Sequence, residues 1–370
     1  MEIKPKRVVL TGGHAATPAL GTVEEIAKRN KDWQLYWVGP TSAMETSKTA
    51  TAAEKTLNEY GVTIKKIVAG KALRRGNFIT LLKAYVKIPF GFVHAFWQIF
   101  KIKPDITVSF GGFAALPVVF ATWLLGKPII LQEQIVGAGL ANKLSSPFAK
   151  KIAVARQESL EFFPKQKTSL IGNPQISQFF QISKKTKIGN PVTIFITGGS
   201  SGAQIINATT NRLLETLLSE FVVIHQTGEN NLKFFLDRKE DLPQNLKNKY
   251  IVVGYVNPKQ FVQNFEQADI IVSRAGANTV SDIVASHTPA ILIPLSWSIG
   301  DEQRKNAQRA QKTGLVKLID QDDLTAEFLL ESIKDIQNNW QTIVNTADTS
   351  EYDLDKFASA KLVDLIEGEL

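Results

Sequence analysis

Between Asp269 and Ile293 the chain runs apolar, then polar and small, then amphipathic, then apolar again, and this order dictates a parallel sheet. Asp269 to Val272 is a short β-branched run that reads as a buried strand. It empties into Ser273-Arg274-Ala275-Gly276-Ala277-Asn278-Thr279, where only Arg274 is large. Val280, Ile283 and Val284 then share one face of a helix, Thr288-Pro289 ends it, and Ala290 to Ile293 is a second apolar strand. Two buried strands joined through a helix lie parallel, because antiparallel neighbours need only a short turn. A strand feeding a small-residue loop at a helix start also leaves backbone N–H groups pointing outward, which suits phosphate. The competing reading is an ordinary turn with Thr279 and Asp282 forming a capping box. On this loop alone the two stand level.

The same alternation extends along the chain. Strands are expected at Val8 to Leu10, Gln34 to Val38, Val62 to Val68, Ile106 to Phe110 and Pro128 to Leu131. Helices are expected near Thr22 to Arg29, Ala43 to Glu59 and Ala114 to Leu125. The first series closes at Ile171-Gly172-Asn173-Pro174, and a polar connector follows from Lys184 to Pro191. A second series restarts at Val192 to Ile196, with strands near Val222 to His225, Ile251 to Gly254, Asp269 to Val272, Ala290 to Ile293 and Val316 to Ile319. The expectation is an α/β chain of two Rossmann-like domains facing a cleft, with ligands at the strand C-termini. The domains are expected at 1–174 and 175–349. A C-terminal helix, 350–370, returns to the first.

The net charge of +8 is confined to one segment. Between Glu59 and Asp105 there are nine basic residues and no acidic one, while the remainder carries −1. Phe78, Leu82, Tyr85 and, beyond Pro89, Phe92, Phe96 and Trp97 recur there at helical spacing, with Lys83 and Lys87 on the other side. Pro89 is expected to break this helix. The longest uncharged run of this segment, Ile88 to Phe100, is shorter than the roughly 20 residues that span a bilayer. An apolar face beside a basic one suits an anionic lipid surface, and part of that apolar face must be domain core. No nucleic-acid-binding module accompanies the charge. Absence of cysteine excludes disulfides and cysteine-based zinc sites, and four scattered histidines make no metal-binding spacing. No secretory signal is expected ahead of Val8.

Glycine-rich turns follow several strands. Thr197-Gly198-Gly199-Ser200-Ser201-Gly202 opens the helix containing Ile206, so two anion-ready helix starts share the second domain, which suits a nucleotide diphosphate. Thr11-Gly12-Gly13-His14 and Gly111-Gly112 are their counterparts in the first domain. His14 is either a base near the reaction centre or a polar side chain on the surface of a tight turn. Glu133, in Gln132-Glu133-Gln134, either bonds a ligand or caps the segment from Gly139 to Leu144. Glu302 and Gln303 either hold sugar hydroxyls or are ordinary first-turn residues.

Taken together and in order, Gly12-Gly13-His14, Phe110 to Phe113, Glu133-Gln134, Gly139 to Lys143, Gly172-Asn173-Pro174, Gly198-Gly199-Ser200, His225-Gln226, Arg274 to Asp282 and Gln303 to Ala307 resemble the MurG family. These are peripheral membrane transferases that add N-acetylglucosamine from UDP-GlcNAc to undecaprenyl-pyrophosphoryl-MurNAc-pentapeptide. The resemblance implies the glycosyltransferase B fold and an inverting transfer in peptidoglycan synthesis at the cytoplasmic face of the cell membrane. It implies donor contacts from Gly199, Ser200, Val256 (main chain, toward uracil), Arg274, Gly276, Asn278, Thr279, Asp282 (ribose), Glu302 and Gln303 (GlcNAc). His14 and Glu133 would be catalytic, and Gly12, Gly13, Gly111, Gly112, Gln134 and Asn142 would line the acceptor side. No cofactor is required by this reading, and a divalent cation is not indicated. The chain departs from the family pattern at Ile135, Ser201, Gln175 and Asp282. Two further readings therefore stand: transfer from a UDP-sugar to another lipid, and a UDP-sugar-binding homologue without full activity.

Overall fold

The computed structural model describes residues 4–13, 16–40, 52–68, 78–199 and 202–370; the side chains of residues 16, 52, 53, 55, 78–88 and 299 are not described. The chain divides into two compact units, 1–177 with 354–370, and 178–353. The boundaries expected from the sequence lie three and four residues earlier.

The first unit is a seven-stranded sheet, all parallel. Its elements are β1 (Lys6–Thr11), α1 (Ala16–Lys28), β2 (Trp33–Pro40), α2 (Ala52–Glu59), β3 (Thr63–Ile67), α3 (Phe78–Ile102), β4 (Ile106–Ser109), α4 (Ala115–Leu124), β5 (Ile129–Glu133), α5 (Leu140–Ser145), β6 (Lys151–Val154) and β7 (Thr168–Leu170). The strand order is β3-β2-β1-β4-β5-β6-β7. Strands β6 and β7 are absent from the sequence expectation. Pairing creates them, β6 on β5 and β7 on β6, since β6 is four residues opening on lysine and β7 is three half-buried residues. The expected helix from Ala43 is described only from Ala52, residues 43–51 lying outside the described residues. Helix α3 corrects a second expectation: it runs 25 residues with Pro89 inside it. Proline removes one N–H and leaves its neighbours to carry the helix, and here Ala95, Ile99 and Ile102 bury a stripe beyond it against β1, β2 and α4.

The second unit repeats the design with β8 (Thr193–Thr197), α6 (Gln204–Glu220), β9 (Val222–Gln226), α7 (Glu229–Glu240), α8 (Gln244–Lys247), β10 (Tyr250–Val253), α9 (Pro258–Gln267), β11 (Ile270–Ser273), α10 (Ala277–Ser286), β12 (Ala290–Leu292), α11 (Glu302–Gln311), β13 (Val316–Leu318) and α12 (Ala326–Thr346). Its parallel sheet has the order β10-β9-β8-β11-β12-β13. Helices cover both faces, so the interior of the central strand β8 is apolar on both: Ile194, Phe195 and Ile196 are all buried. On one face Ile194 and Ile196 meet Leu214, Leu217 and Trp340. On the other Phe195 packs edge-on against Phe261 and Phe265.

The last helix, α13 (Asp355–Glu367), belongs to the first unit. Arg29, just past the end of α1, bonds Asp364, Glu367 and the carbonyl of Ala360. At its start, buried Asp355 forms a bidentate ion pair with buried Arg156, at 2.6 and 2.8 Å. The same carboxylate accepts the Asn173 N–H at 2.8 Å. One side chain thus fixes both segments by which the chain passes between the units.

Candidate functional site

In each sheet the strand order reverses once, between β1 and β4 in the first unit and between β8 and β11 in the second. At such a point neighbouring strands send their helices to opposite faces, and the strand ends open a crevice. The glycine turns singled out from the sequence lie at these four strand ends.

In the second unit, α6 begins at Ala203 and α10 at Gly276, and neither N-cap bears a side-chain hydrogen bond. The capping box of Thr279 and Asp282 is therefore corrected: Gly276, extended at φ −64 and ψ 142, is the N-cap, three residues before Thr279. A capping box needs a hydroxyl or carboxamide at the cap itself, which glycine lacks. A Cβ on Gly199 would meet nothing within 4 Å, and one on Gly276 would meet only the Thr279 hydroxyl at 4.0 Å. Both turns therefore face open space. Gly198 and Gly202 serve the backbone instead, since a Cβ there would come 2.1 Å from the Ala203 nitrogen and 2.2 Å from the Thr227 carbonyl. Thr197 braces the turn, its hydroxyl accepting from Gly199 N–H at 3.0 Å and donating to Gln226.

The neighbouring loop, 293–301, is tied to this turn. Arg274 donates to the carbonyls of Ile293 and Pro294 at 3.1 and 3.3 Å, and burial lowers its pKa. No acidic side chain pairs with it among the described residues. Asn306 on α11 donates to the Ala275 carbonyl at 3.2 Å, holding the turn from the other side. Gln303 accepts from Leu295 N–H at 3.0 Å, so its carbonyl oxygen secures the loop. Glu302 beside it has its pKa raised by burial. Asn278 and Thr279 are half-buried in the first turn of α10, and Asp282 is buried in the second. Val256 is buried in the turn between β10 and α9. Ser200 lies outside the described residues.

Beneath these turns the structure supplies a network that the sequence did not reveal. His225 is fully buried, with Nδ1 2.9 Å from the Tyr250 hydroxyl and Nε2 3.1 Å from Asn207 Oδ1. Asn207 in turn donates to the Thr227 carbonyl at 2.9 Å. Burial pushes the imidazole pKa down to about 3.

In the first unit the turns after β1 and β4 lock together: Gly13 N–H donates to the Gly111 carbonyl at 3.0 Å. A Cβ on Gly112 (φ +87) would stand 2.8 Å from the Gly13 nitrogen, and one on Gly111 (φ +78) 3.0 Å from Asn142 Nδ2. A Cβ on Gly12 would touch Trp37 at 3.1 Å. The buried carboxylate of Glu133 accepts from Gly139 N–H at 2.8 Å, Asn142 Nδ2 at 3.1 Å and Ile135 N–H at 3.3 Å. Of its two readings the structure supplies the cap of α5. Burial raises its pKa and these donors oppose the rise. Asn142 Oδ1 and Gln134 Oε1 are buried atoms without a partner among the described residues. His14 lies outside the described residues.

The basic and aromatic segment partitions along α3. Phe92 is half-buried and packs edge-on against Phe120 of α4 at 5.6 Å, so part of its ring faces the core. Phe90, Val93, Phe96, Trp97 and Phe100 are exposed, joined by Trp123 and Leu124 of α4. Lys101 stands 3.3 Å from the centre of the Trp97 ring. Phe90 and Val93 escaped the sequence reading, although their spacing with Trp97 is helical. Phe78, Leu82, Lys83, Tyr85 and Lys87 lie on α3, their side chains outside the described residues. No described helix is long and apolar enough to cross a membrane.

Family models match both units: the glycosyltransferase family 28 N-terminal domain over residues 8–154 and its C-terminal domain over 193–365. The chain belongs to glycosyltransferase family 28. Its relatives include the UDP-N-acetylglucosamine–N-acetylmuramyl-(pentapeptide) pyrophosphoryl-undecaprenol N-acetylglucosamine transferase of Clostridium kluyveri, 31% identical over 98% of this chain and 99% of that protein. The enzyme of the same name from Legionella pneumophila is 31% identical over 91% of each chain. Among solved structures, MurG of Acinetobacter baumannii superposes with a TM-score of 0.69 at 24% identity, covering 98% of this chain and all of that one. The UDP-GlcNAc 2-epimerase of Neisseria meningitidis bound to UDP-GlcNAc gives 0.70 at 14% identity, covering 98% and 100%. These two likenesses speak for the family 28 fold, the two-unit glycosyltransferase B architecture.

Proposed function

We propose that this family 28 chain is an inverting hexosyltransferase that moves GlcNAc from UDP-GlcNAc to a lipid-linked MurNAc-pentapeptide in peptidoglycan synthesis. One observation carries the donor side: two adjacent strand ends, after β8 and β11, start helices without side-chain caps beside glycines that face open space. Helix-start amides and the positive ends of two helix dipoles are suited to a diphosphate. The named relatives supply the choice of sugar and acceptor.

The reaction is a single displacement. The acceptor hydroxyl oxygen bonds to the anomeric carbon as the bond from that carbon to the β-phosphate oxygen breaks, so the configuration inverts. The proton of the hydroxyl passes to a base, for which His14 is assigned. Charge grows on the departing UDP as the bond breaks, and amides fixed at the starts of α6 and α10 stabilise that charge more than the bound donor's. Arg274 adds fixed positive charge at the same turn. Glu133 acts as a positioning residue: it holds the α5 start and Asn142 under the acceptor turns. The reaction needs no divalent cation, so transfer in EDTA should proceed at the untreated rate.

The protein works as a peripheral protein at the cytoplasmic face of the membrane. The exposed stripe of Phe90, Val93, Trp97 and Phe100 on α3 supports this, because Lys101 and Lys103 beside it complement anionic headgroups. Transfer of labelled GlcNAc from UDP-GlcNAc to the lipid-linked MurNAc acceptor by pure protein tests the activity. UDP binding without any transfer would favour the non-catalytic reading, and transfer only to another lipid would move the acceptor.

A further inference from the structure

The loop that follows β12 holds a side chain that nothing above employs. Trp297 is 75% exposed, more than any other exposed large apolar side chain among the described residues. Exposed indole costs solvation, and a flexible loop would let it fold back onto apolar surface. This loop is held on both sides of Trp297. Leu295 N–H donates to Gln303, the Ser296 hydroxyl accepts from Gln321 at 3.2 Å, and Gln303 N–H approaches the Ser298 hydroxyl at 3.4 Å. The loop's root is bonded to Arg274 through the carbonyls of Ile293 and Pro294. It therefore stands beside the open turn at Gly276, one strand removed from the reversal of strand order. Next along the chain, at the start of α11, are a carboxylate, Glu302, and an amide, Gln303.

An aromatic plane beside a carboxylate and an amide is the chemistry that recognises a pyranose. The ring's C–H face lies on the aromatic and its hydroxyls reach the polar groups. A phosphate gains nothing from an indole face. We propose that Trp297 is the platform for the hexose ring of the sugar nucleotide and so a specificity-determining residue of the donor site. This inference rests on the donor assignment made above and adds the element that separates a UDP-sugar from UDP.

Six tryptophans are present, and in the second unit the other one, Trp340, is buried on α12 away from solvent. The emission of the full chain is titrated with UDP-GlcNAc and with UDP, for the wild type and for Trp297→Phe. Binding of each is measured by calorimetry for the wild type and Trp297→Ser. The expected result is an emission change with UDP-GlcNAc that Trp297→Phe abolishes, with none of that component on adding UDP. Trp297→Ser should weaken UDP-GlcNAc binding about 2- to 10-fold and leave UDP binding unchanged. Equal weakening of both ligands would place the indole on the nucleotide and overturn the proposal, as would a change confined to the KM for the acceptor. If wild-type protein binds neither UDP nor UDP-GlcNAc, the donor assignment itself fails and Trp297 falls with it. If both bind and Trp297→Ser matches the wild type, the platform alone is refuted.

Discussion

His225 should make the second unit sensitive to acid. The ring is fully buried and has two hydrogen-bond partners. Asn207 directs its amide N–H to Thr227, so its oxygen faces Nε2, which must carry the proton; Nδ1 then accepts from the Tyr250 hydroxyl. Adding a proton places a desolvated charge among groups already committed, and the folded pKa falls to about 3. In the unfolded chain it is about 6.5. Above pH 6.5 both states are neutral and the group contributes nothing. Below it the unfolded state binds a proton that the folded state refuses. Stability therefore falls with falling pH, by about 1.4 kcal/mol per pH unit until the folded value is reached. At pH 5 the loss is about 2 kcal/mol. Urea unfolding at pH 7.5 and pH 5, for the wild type and His225→Gln, isolates it, since every other titrating group is common to both. The variant starts less stable because Phe235 loses an edge-on ring contact at 4.7 Å. The reading lies in the difference between the two pH values, where the wild type should lose about 2 kcal/mol more than the variant. Equal losses would mean that the imidazole charges inside the fold, and the buried network would not be as described.

Asp355→Ala leaves the Arg156 guanidinium buried without its acid and the Asn173 N–H without its acceptor; thermal unfolding should show a cost of about 3–5 kcal/mol, and a loss under about 1 kcal/mol would refute the clamp. Pairing Asp355→Leu with Arg156→Met should recover much of the cost, because no charge is then stranded. Gly112→Ala forces a left-handed backbone and a 2.8 Å collision with the Gly13 nitrogen, so transfer should fall steeply while calorimetry finds UDP binding intact in the other unit. Replacing Phe90 and Trp97 by Ser, both exposed, should leave the melting temperature unchanged and weaken retention on anionic vesicles about 10-fold or more at low salt; unchanged retention would remove α3 as the anchor.

What was legible in the sequence follows from burial. Strands such as Ile270 to Ser273 are covered on both faces, so they appear as unbroken apolar runs, and the turns beyond them as small residues. Strand β7, half-buried at the sheet edge, carries no such signature. Pro89 misled because an apolar stripe on both sides of a proline reads the same whether the helix stops or continues. The capping box misled because Thr279 and Asp282 have the right spacing, and only backbone geometry moves the cap to Gly276. The Arg156–Asp355 pair spans 199 residues of sequence, and no local pattern announces it. At the candidate site, residue types were readable from motif order, but the division of labour among glycines was not.

That division explains how one topology serves two tasks. Both units reverse strand order once and place glycine turns at the reversal. In the first, Gly12, Gly13 and Gly112 face other protein atoms: a Cβ on Gly112 would collide with the facing turn, one on Gly12 would crowd Trp37, and one on Gly13 would touch Gly112. Glycine there closes a gap, and the result is a stiff floor fixed by Asn142 and Glu133. In the second, Gly198 and Gly202 do that closing, while Gly199 and Gly276 look onto open space. A Cβ at Gly276, which is extended, costs the fold little, so stability does not require glycine there. It does, however, keep a ligand from approaching the amides of the helix start as closely as phosphate needs. Gly276→Ala should therefore melt like the wild type yet bind UDP about 10-fold more weakly. Loss of folding with binding preserved would reverse the roles assigned to the two kinds of glycine.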